Sequence, residues 1–443
     1  MMKIFFVLIA AFCFALLMLN GCSSPPSREA IESVEANYRP NEDKPVLPLL
    51  TPDSPFSDFI TYAMLNNPNV EAAFYDWKMS VEEAVAAGSL PNPQLTLNAE
   101  ITSIVESFII GLAQELPGPG KLELQAEAVS AIARKKRFIF ENELLNAAFK
   151  VNETFSQNGL LNEKISLTRQ MLELADTGES SVRAGLETGL ESPRNLTLIQ
   201  SEQARLRNEL ANLEDSRKVI FAQWREALGI GISEPLPPFP RSMPPKHVLP
   251  DEDALLNAAL TSNAQLKALS EEIKLAETLV KLAYKENVPD FDAGLGTNTR
   301  QKPWSLMPEI GLTLPVWRDK IGAQIASARA GEKESRSMLS AAKLELVITL
   351  AEKSFMWREL RRQSKLIETQ LMPLATVKLQ SSESSYTTGG SGIMEWIESA
   401  NEILELKTLL SESTAREEIA LSEIMLLILS RQPEETNRIL NSK

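Results

Sequence analysis

The chain has 443 residues, with 45 basic against 59 acidic side chains and a net charge of −14. That balance lacks the basic footprint that nucleic-acid binding requires, so no nucleic-acid partner is expected. Aromatic residues make up 6%, few for a ring-rich sandwich or enzyme core and ordinary for long helices.

The N-terminal stretch "MMKIFFVLIAAFCFALLMLNGCSS" carries one lysine, an apolar run from Ile4 to Leu19, and then Leu19-Asn20-Gly21-Cys22. A basic end, an apolar centre and a small residue before the cut predict a secretory signal over 1–21. The sixteen-residue run is short for a membrane-spanning helix, the alternative reading. Leu-x-Gly-Cys resembles the bacterial lipobox, which implies that Cys22 becomes the lipidated first residue of the mature chain. Ser23 stands where an inner-membrane retention signal usually carries Asp, so the resemblance points to the outer membrane. Cys13 leaves with the signal and Cys22 is taken by lipid, so no disulfide is expected in any compartment.

Two proline-rich passages come next in chain order, residues 24–55 and "SEPLPPFPRSMPPKHVLP" at 233–250. Both predict extended strap rather than regular elements, because proline removes a donor and fixes φ. The segments beyond the two straps are alike. Asn67, Val70, Ala72 and Pro93 match Asn263, Leu266, Ala268 and Pro289 at a shift of 196. Leu116-Pro117 matches Leu314-Pro315 at 198, and Leu144, Phe155, Gly189 and Leu206 match Leu344, Phe355, Gly389 and Leu406 at 200. The chain reads as one unit written twice. The expected organisation is a signal over 1–21, a lipid-anchored strap over 22–55, a first repeat over 56–230, a linker over 231–250, a second repeat over 251–430 and a tail over 431–443.

Within each repeat an amphipathic helix is predicted first, about Ser57 to Gly88 and Glu252 to Lys285. Period-two alternation then predicts strands in "PQLTLNAEI", "FIIGLAQEL", "DFDAGLGTN" and "PEIGLTLPV". Each is about nine residues long, enough for a tilted strand to span a bilayer. Long helical stretches come after them, free of proline from Pro119 to Pro193 and from Pro315 to Pro373. About sixty helical residues extend roughly 90 Å. Leu144, Ala148, Val151 and Phe155 form a narrow apolar seam that Leu344, Ile348, Ala351 and Phe355 repeat, a pattern suited to coiled-coil packing. The helices are not apolar enough to cross a membrane, which leaves the strands. Open strand edges are not tolerated in lipid, so transmembrane strands would have to close a barrel shared between copies. Two hairpins capping a soluble helical rod are the other reading.

The tandem halves, the lipobox, "LNNPNVEAA", "AGSLPNPQLTL", "QELPGPGKLELQAEAVSA" and the glycine breaks at Gly189 and Gly389 together resemble the TolC-type outer-membrane efflux proteins, in particular their lipoprotein branch. The resemblance spans nearly all of 56–430. It implies a mainly α fold with a small β part: a homotrimer whose twelve-stranded transmembrane β-barrel takes four strands per chain and continues as a long α-helical barrel across the periplasm. It further implies a passive channel working with a periplasmic membrane-fusion adaptor and an inner-membrane pump, with the RND type favoured. Substrates would be metal cations or small drugs. A type I protein secretion channel and a structural periplasmic coiled-coil lipoprotein are the alternatives.

The breaks at "AGLETGLESPRNLTLI" and "TTGGSG" each predict a helical hairpin turn. In the family such tips form the periplasmic entrance and dock on the adaptor, which assigns Gly185, Gly189 and Ser192 in the first half and Gly389, Gly390 and Gly392 in the second. "IMEWIES" matches the family's Ile-x-Asp-x-x-Asp, so Glu395 and Glu398 fall on an acidic ring that narrows the entrance. At i and i+3 the two carboxylates share a helix face. The family usually has Asp here, and the first-half counterpart is Asn195, uncharged. Trp396 is expected to pack between helices.

Catalysis is not expected. The one histidine, His247, lies in the linker and no free thiol is left, so His/Cys metal ligation within one chain lacks its ligands, and a Ser-His-Asp arrangement would have to hang on a linker histidine. "GGSG" is too short for a phosphate loop and comes after no strand. No cofactor is expected.

Overall fold

The computed structural model describes residues 26–39, 45–101, 105–241, 252–298, 305–388 and 392–428. Cys22 and its signal, Gly389, Gly390 and the tail 431–443 lie outside these residues. The fold is mainly α with one four-stranded antiparallel sheet, as expected. In chain order the elements are α1 Pro26–Tyr38, α2 Phe56–Asn66, α3 Pro68–Ala87, β1 Gln94–Ile101, β2 Val105–Leu116, α4 Lys121–Glu187, α5 Pro193–Leu228, α6 Glu252–Ser262, α7 Ala264–Lys285, β3 Phe291–Asn298, β4 Leu306–Leu312, α8 Arg318–Leu366, a π-turn Ile367–Leu371, α9 Met372–Thr387 and α10 Ile393–Ile428.

The chain divides into two compact units. One comprises Met1–Glu42, Tyr75–Arg137 and Ala268–Ser337; the other Asp43–Phe74, Phe138–Lys267 and Met338–Lys443. The first holds the sheet, ordered β1-β2-β3-β4. Each hairpin comes from one half of the sequence, and the halves join by β2 pairing with β3, Gly111 opposite Gly296 and Leu112 opposite Leu295. In the same unit, Arg134 and Lys135 of α4 reach Glu271 and Glu272 of α7 at 2.7 and 2.6 Å. Helix α1 buries Ile31, Val34 and Tyr38 in this unit.

The second unit is a helical bundle with several apolar cores. In one, Phe56, Phe59 and Ala63 of α2 meet Val151 of α4 and Trp224 and Leu228 of α5. The Trp224 indole stacks on Phe239 at 4.4 Å and donates to the Pro237 carbonyl at 3.1 Å, pinning the described part of the second proline strap. The counterpart core joins Leu255 and Ala259 of α6, Leu346 and Leu350 of α8 and Ile424 of α10.

Four expectations need correction. Extended strap over 24–55 fails across α1: Pro26 sits at the helix start, where its missing N–H has no intrahelical role, and the next proline is Pro40. The single helix predicted over 57–88 breaks at Asn67, held extended (φ −68°, ψ 124°) by the crowding of Pro68. Its second-half counterpart breaks at Asn263. The helix after β4 is interrupted by the π-turn, where Met372 N–H bonds the Ile367 carbonyl. The widened turn ends two residues before Pro373, which cannot donate and crowds the preceding turn. Finally, β4 begins two residues before the predicted segment and ends at Leu312, not Val316.

The matched asparagines do matched work. Asn67 Oδ1 accepts from the Asn69 amide at the start of α3, while its Nδ2 donates to the Glu226 and Ala227 carbonyls at 3.3 Å. Asn263 Oδ1 accepts from the Leu266 amide and its Nδ2 donates to the Leu427 carbonyl at 3.1 Å. One side chain thus caps an outgoing helix and ties the last turn of a returning one. Asn67→Ala removes the cap and the buried donor together, so unfolding in urea should show a loss of about 1–3 kcal/mol, with faster hydrogen exchange at the Asn69 amide. Asn263→Ala should act in the same direction.

Candidate functional site

Strand alternation gives the sheet two unlike faces. On one lie Leu95, Leu97, Phe108, Ile110, Leu112, Phe291, Leu295, Leu306, Ile310 and Leu312, all exposed. The other carries Thr96, Gly111, Ala113, Glu115, Asp292, Gly294, Gly296 and Glu309, with Ile109 and Met307 as its large apolar members. The described strands contain no lysine or arginine. The apolar face is in the open and the polar face is not covered by a second sheet, the reverse of a soluble sheet packed on a core. Strands β1 and β4 each pair on one side only. The longest strand, β2, has 12 residues. At about 3.3 Å per residue and a tilt of about 40°, it rises about 30 Å, the hydrocarbon thickness of a bilayer.

The helical unit has its own unpartnered surface. Leu144 is 2% exposed and Val151 is fully buried, but their repeat partners are not: Leu344 is 68% exposed and Ala351 is exposed, with Ile348 and Phe355 of the same seam also open. Helix α8 buries the stripe of Leu346 and Leu350 instead, a different face of the same turns.

The hairpin tips meet in a third core of the helical unit. Ala175 and Val182 of α4, Ile199 and Leu206 of α5, and Ile393 and Ile397 of α10 pack together. Trp396 packs against this cluster, as expected of a helix-packing residue. The contact depends on Gly178. A Cβ there would lie 2.3 Å from Ile397 Cδ1 and 3.5 Å from Ile199 Cδ1, so a notch on α4 receives the Ile397 side chain. Glycine inside a helix costs about 1 kcal/mol relative to alanine, and here the notch is what that loss permits.

At the first tip, the Gly185 carbonyl accepts from the Leu190 and Glu191 amides at 2.8 and 3.1 Å. Gly189 adopts φ +73°, which glycine tolerates best. Ser192 caps α5, its Oγ accepting from the Asn195 amide, with Pro193 in the first turn. Asn195, the uncharged first-half counterpart, donates its Nδ2 to Glu191 Oε2 at 2.8 Å. At the second tip, Gly392 precedes α10, its carbonyl accepting from the Glu395 amide at 3.2 Å.

Glu395 and Glu398 are exposed on α10. Two residues that sequence reasoning did not single out belong with them. Lys378 of α9 donates to Glu402 Oε2 at 2.6 Å. Its ammonium pKa is raised by that hydrogen bond and by the charge of Glu402, with further contributions from Glu398 and Glu395. Glu402, four residues beyond Glu398, was legible from helical spacing; Lys378 lies across the hairpin and was not.

The first hairpin is tied differently. Glu179 accepts from Gln200, Arg183 and Gln203 at 2.7 to 2.9 Å, which holds its carboxyl at about 2 against an ordinary 4.5. Among the described residues no group of three or more His, Cys, Asp or Glu could hold a metal ion, and no helix is long and apolar enough to cross a membrane.

No protein-family model and no curated protein sequence matches this chain. Solved structures do match its fold. The outer membrane protein VceC of Vibrio cholerae aligns with a TM-score of 0.69 at 14% identity, covering 84% of this chain and 95% of that one. The CmeC outer membrane channel of Campylobacter jejuni gives 0.72 at 10% identity, over 87% and 89%. The MtrE outer membrane channel of Neisseria gonorrhoeae, in its open state, gives 0.72 at 13% identity, over 87% and 96%. At these identities the likeness is one of fold.

Substitutions at two glycines of α4 have opposite expected effects. Gly178→Leu should expel Ile397, destabilising the tip by about 1–3 kcal/mol and speeding hydrogen exchange over Ile393–Ile397. Gly159→Ala on the same helix meets open space and should stabilise it by up to about 1 kcal/mol. The depressed Glu179 carboxyl contributes stability that is complete above pH 4.5 and lost as the pH falls towards 2. Glu179→Gln should flatten the acid dependence of exchange protection at the first tip over that window.

Proposed function

We propose that the chain is one protomer of a homotrimeric outer-membrane channel of an efflux system. The observation that carries this reading is the sheet: four strands, one apolar and exposed face, one polar face, and two unpaired edges. In hydrocarbon each unpaired backbone group costs several kcal/mol, so the edges of one copy must be closed by others. Three copies would make twelve strands, an allowed barrel size. The exposed stripe of Leu344, Ile348 and Phe355 supports the same assembly, since the equivalent seam on α4 is covered within the chain. The shared fold of outer-membrane channels agrees with it.

In this reading Cys22 carries the lipid anchor and the protein reaches from the outer membrane into the periplasm. The first and second repeats, 56–230 and 251–430, each supply one β-hairpin and one helical hairpin. The tips at Gly185, Gly189 and Ser192 and at Gly389, Gly390 and Gly392 dock a periplasmic membrane-fusion adaptor fed by an inner-membrane pump of the RND type. Glu395 and Glu398 form an acidic ring at the entrance. Transport is passive and needs no cofactor; the pump supplies the energy. Glu115 faces Asp292 directly across β2 and β3, and Glu309 shares that face. Like charges so placed are mutually destabilising unless cations screen them, which favours cationic substrates.

Purified protein should run as a trimer in detergent and conduct ions across planar bilayers. A monomer without conductance would reject the reading in favour of a periplasmic rod. Replacing both Glu395 and Glu398 by alanine should weaken the block of current by multivalent cations; an unchanged block removes them from the entrance.

A further inference from the structure

The two halves leave the sheet in different ways. After β2 the chain reads Leu116-Pro117-Gly118-Pro119-Gly120-Lys121; after β4 it reads Leu314-Pro315-Val316-Trp317-Arg318-Asp319. The first junction is closed. The Gly118 amide donates to Asp290 Oδ1 at 2.7 Å, a Cβ on Gly118 would lie 2.6 Å from the Pro289 carbonyl, and buried Lys121 reaches the Asp290 carboxylate at 2.9 Å. At the corresponding places the second junction puts valine, tryptophan and arginine. It stands open, around a depression of about 520 Å³ lined by Val316 to Lys320.

Trp317 is 75% exposed, and Leu314, Val316 and Lys320 are exposed beside it. Past the end of β4 at Leu312 the chain makes two tight turns, Val316 N–H donating to the Leu314 carbonyl and Arg318 N–H to the Val316 carbonyl. Helix α8 then starts at Arg318, with the Trp317 carbonyl accepting from the Ile321 amide at 3.1 Å. Leu306, Ile310 and Leu312 lead along the exposed apolar face of β4 to Leu314, so the junction continues that surface and then changes character within four residues. It passes from aliphatic to indole to two cationic side chains, Arg318 and Lys320. Arg318 Nη1 also donates to Asn287 Oδ1 at 3.1 Å, which steadies it. Asp319 interrupts the cations but lies in the first turn of α8, where the helix dipole favours a carboxylate.

An indole seated between an aliphatic surface and a basic pair matches the layering of a bilayer edge, where amphipathic rings lie at headgroup level and long cationic side chains reach phosphate. We propose that Trp317, with Arg318 and Lys320, forms a lipid-binding anchor that fixes the depth of the sheet at the helix-bearing edge of the membrane. Its partner is the phosphate-bearing headgroup layer of phospholipid. The first repeat has no such anchor, because its Gly-Pro-Gly junction is folded onto Asp290. This inference rests on the transmembrane reading of the sheet.

The test uses the full-length lipidated protein in vesicles of phosphatidylethanolamine and phosphatidylglycerol. Phospholipids brominated near the headgroup or near the acyl-chain terminus serve as quenchers, and the Trp317→Phe variant isolates the Trp317 emission. Emission lost in the variant should be quenched several-fold more by shallow than by deep bromines. Lys320→Glu should reduce that shallow quenching as the phosphatidylglycerol fraction is raised. Quenching by aqueous iodide alone would place the ring in water. Protection from both quenchers would place it under a neighbouring copy. Either result overturns the anchor while conductance of the same vesicles leaves the channel reading intact. Absence of both conductance and lipid quenching would overturn the channel reading itself.

Discussion

An exposed apolar sheet with two open edges is the constraint on which the rest depends. In water, ten aliphatic and aromatic side chains on one face would be an aggregation surface, and the unpaired N–H and C=O groups of β1 and β4 would template further pairing. In lipid the apolar face is satisfied and the edges are not. In the proposed barrel β4 of one copy pairs with β1 of the next, and both are satisfied at once. The polar face, rich in glycine and carboxylate, then faces water inside the closed structure. Small residues at Gly111, Ala113, Gly294 and Gly296 leave room there instead of filling a core.

The duplication supplies this sheet economically, but the halves are not used alike. Asn67 and Asn263 keep one role in both: cap the next helix and hold the returning one. The apolar seams diverge. On α4 the seam is covered, and nearly every turn of that helix through its middle is at least half-buried. On α8 only the stripe through Leu346 and Leu350 is covered, leaving Leu344, Ile348 and Phe355 outside. A helix with two apolar stripes, only one of them covered by its own chain, has a surface left for something else, and in the proposed trimer that is the adjoining protomer.

Much of this was legible in the sequence. Alternation located all four strands because each has one apolar face, and the shift of 196 paired Asn67 with Asn263. What those asparagines do was not legible, since their partners are backbone carbonyls some 160 residues away that carry no side-chain signature. The order of the sheet was equally hidden: nothing local specifies that β2 pairs with β3. Proline content misled at α1, where one helix-starting proline was read with its non-helical neighbours. Pro373 marked the end of a proline-free run without revealing that the chain keeps its helical course through a widened turn. At the tips, the glycines and the glutamate pair stood out, whereas Gly178 did not, because its value lies in a side chain more than 200 residues away.

The electrostatics of the second tip turn on where Lys378 places its charge. One ammonium among Glu395, Glu398 and Glu402 could have neutralised the glutamates assigned to the entrance. It bonds Glu402 instead, the member farthest from the tip. Three carboxylates less one ammonium leave two net negative charges on that face, and they reside on the exposed pair. An exposed ion pair of this kind adds at most about 1 kcal/mol to stability, so its consequence is the placement of charge more than the strength of the hairpin. The first hairpin makes the opposite choice. Glu179 is gathered by Arg183, Gln200 and Gln203, its charge consumed in tying α4 to α5, and Asn195 offers no carboxylate at the matching place. At the matched place a trimer built from such chains would present acid from the second hairpin and an amide from the first, which serves as the tied support into whose Gly178 notch Ile397 fits, one residue before Glu398.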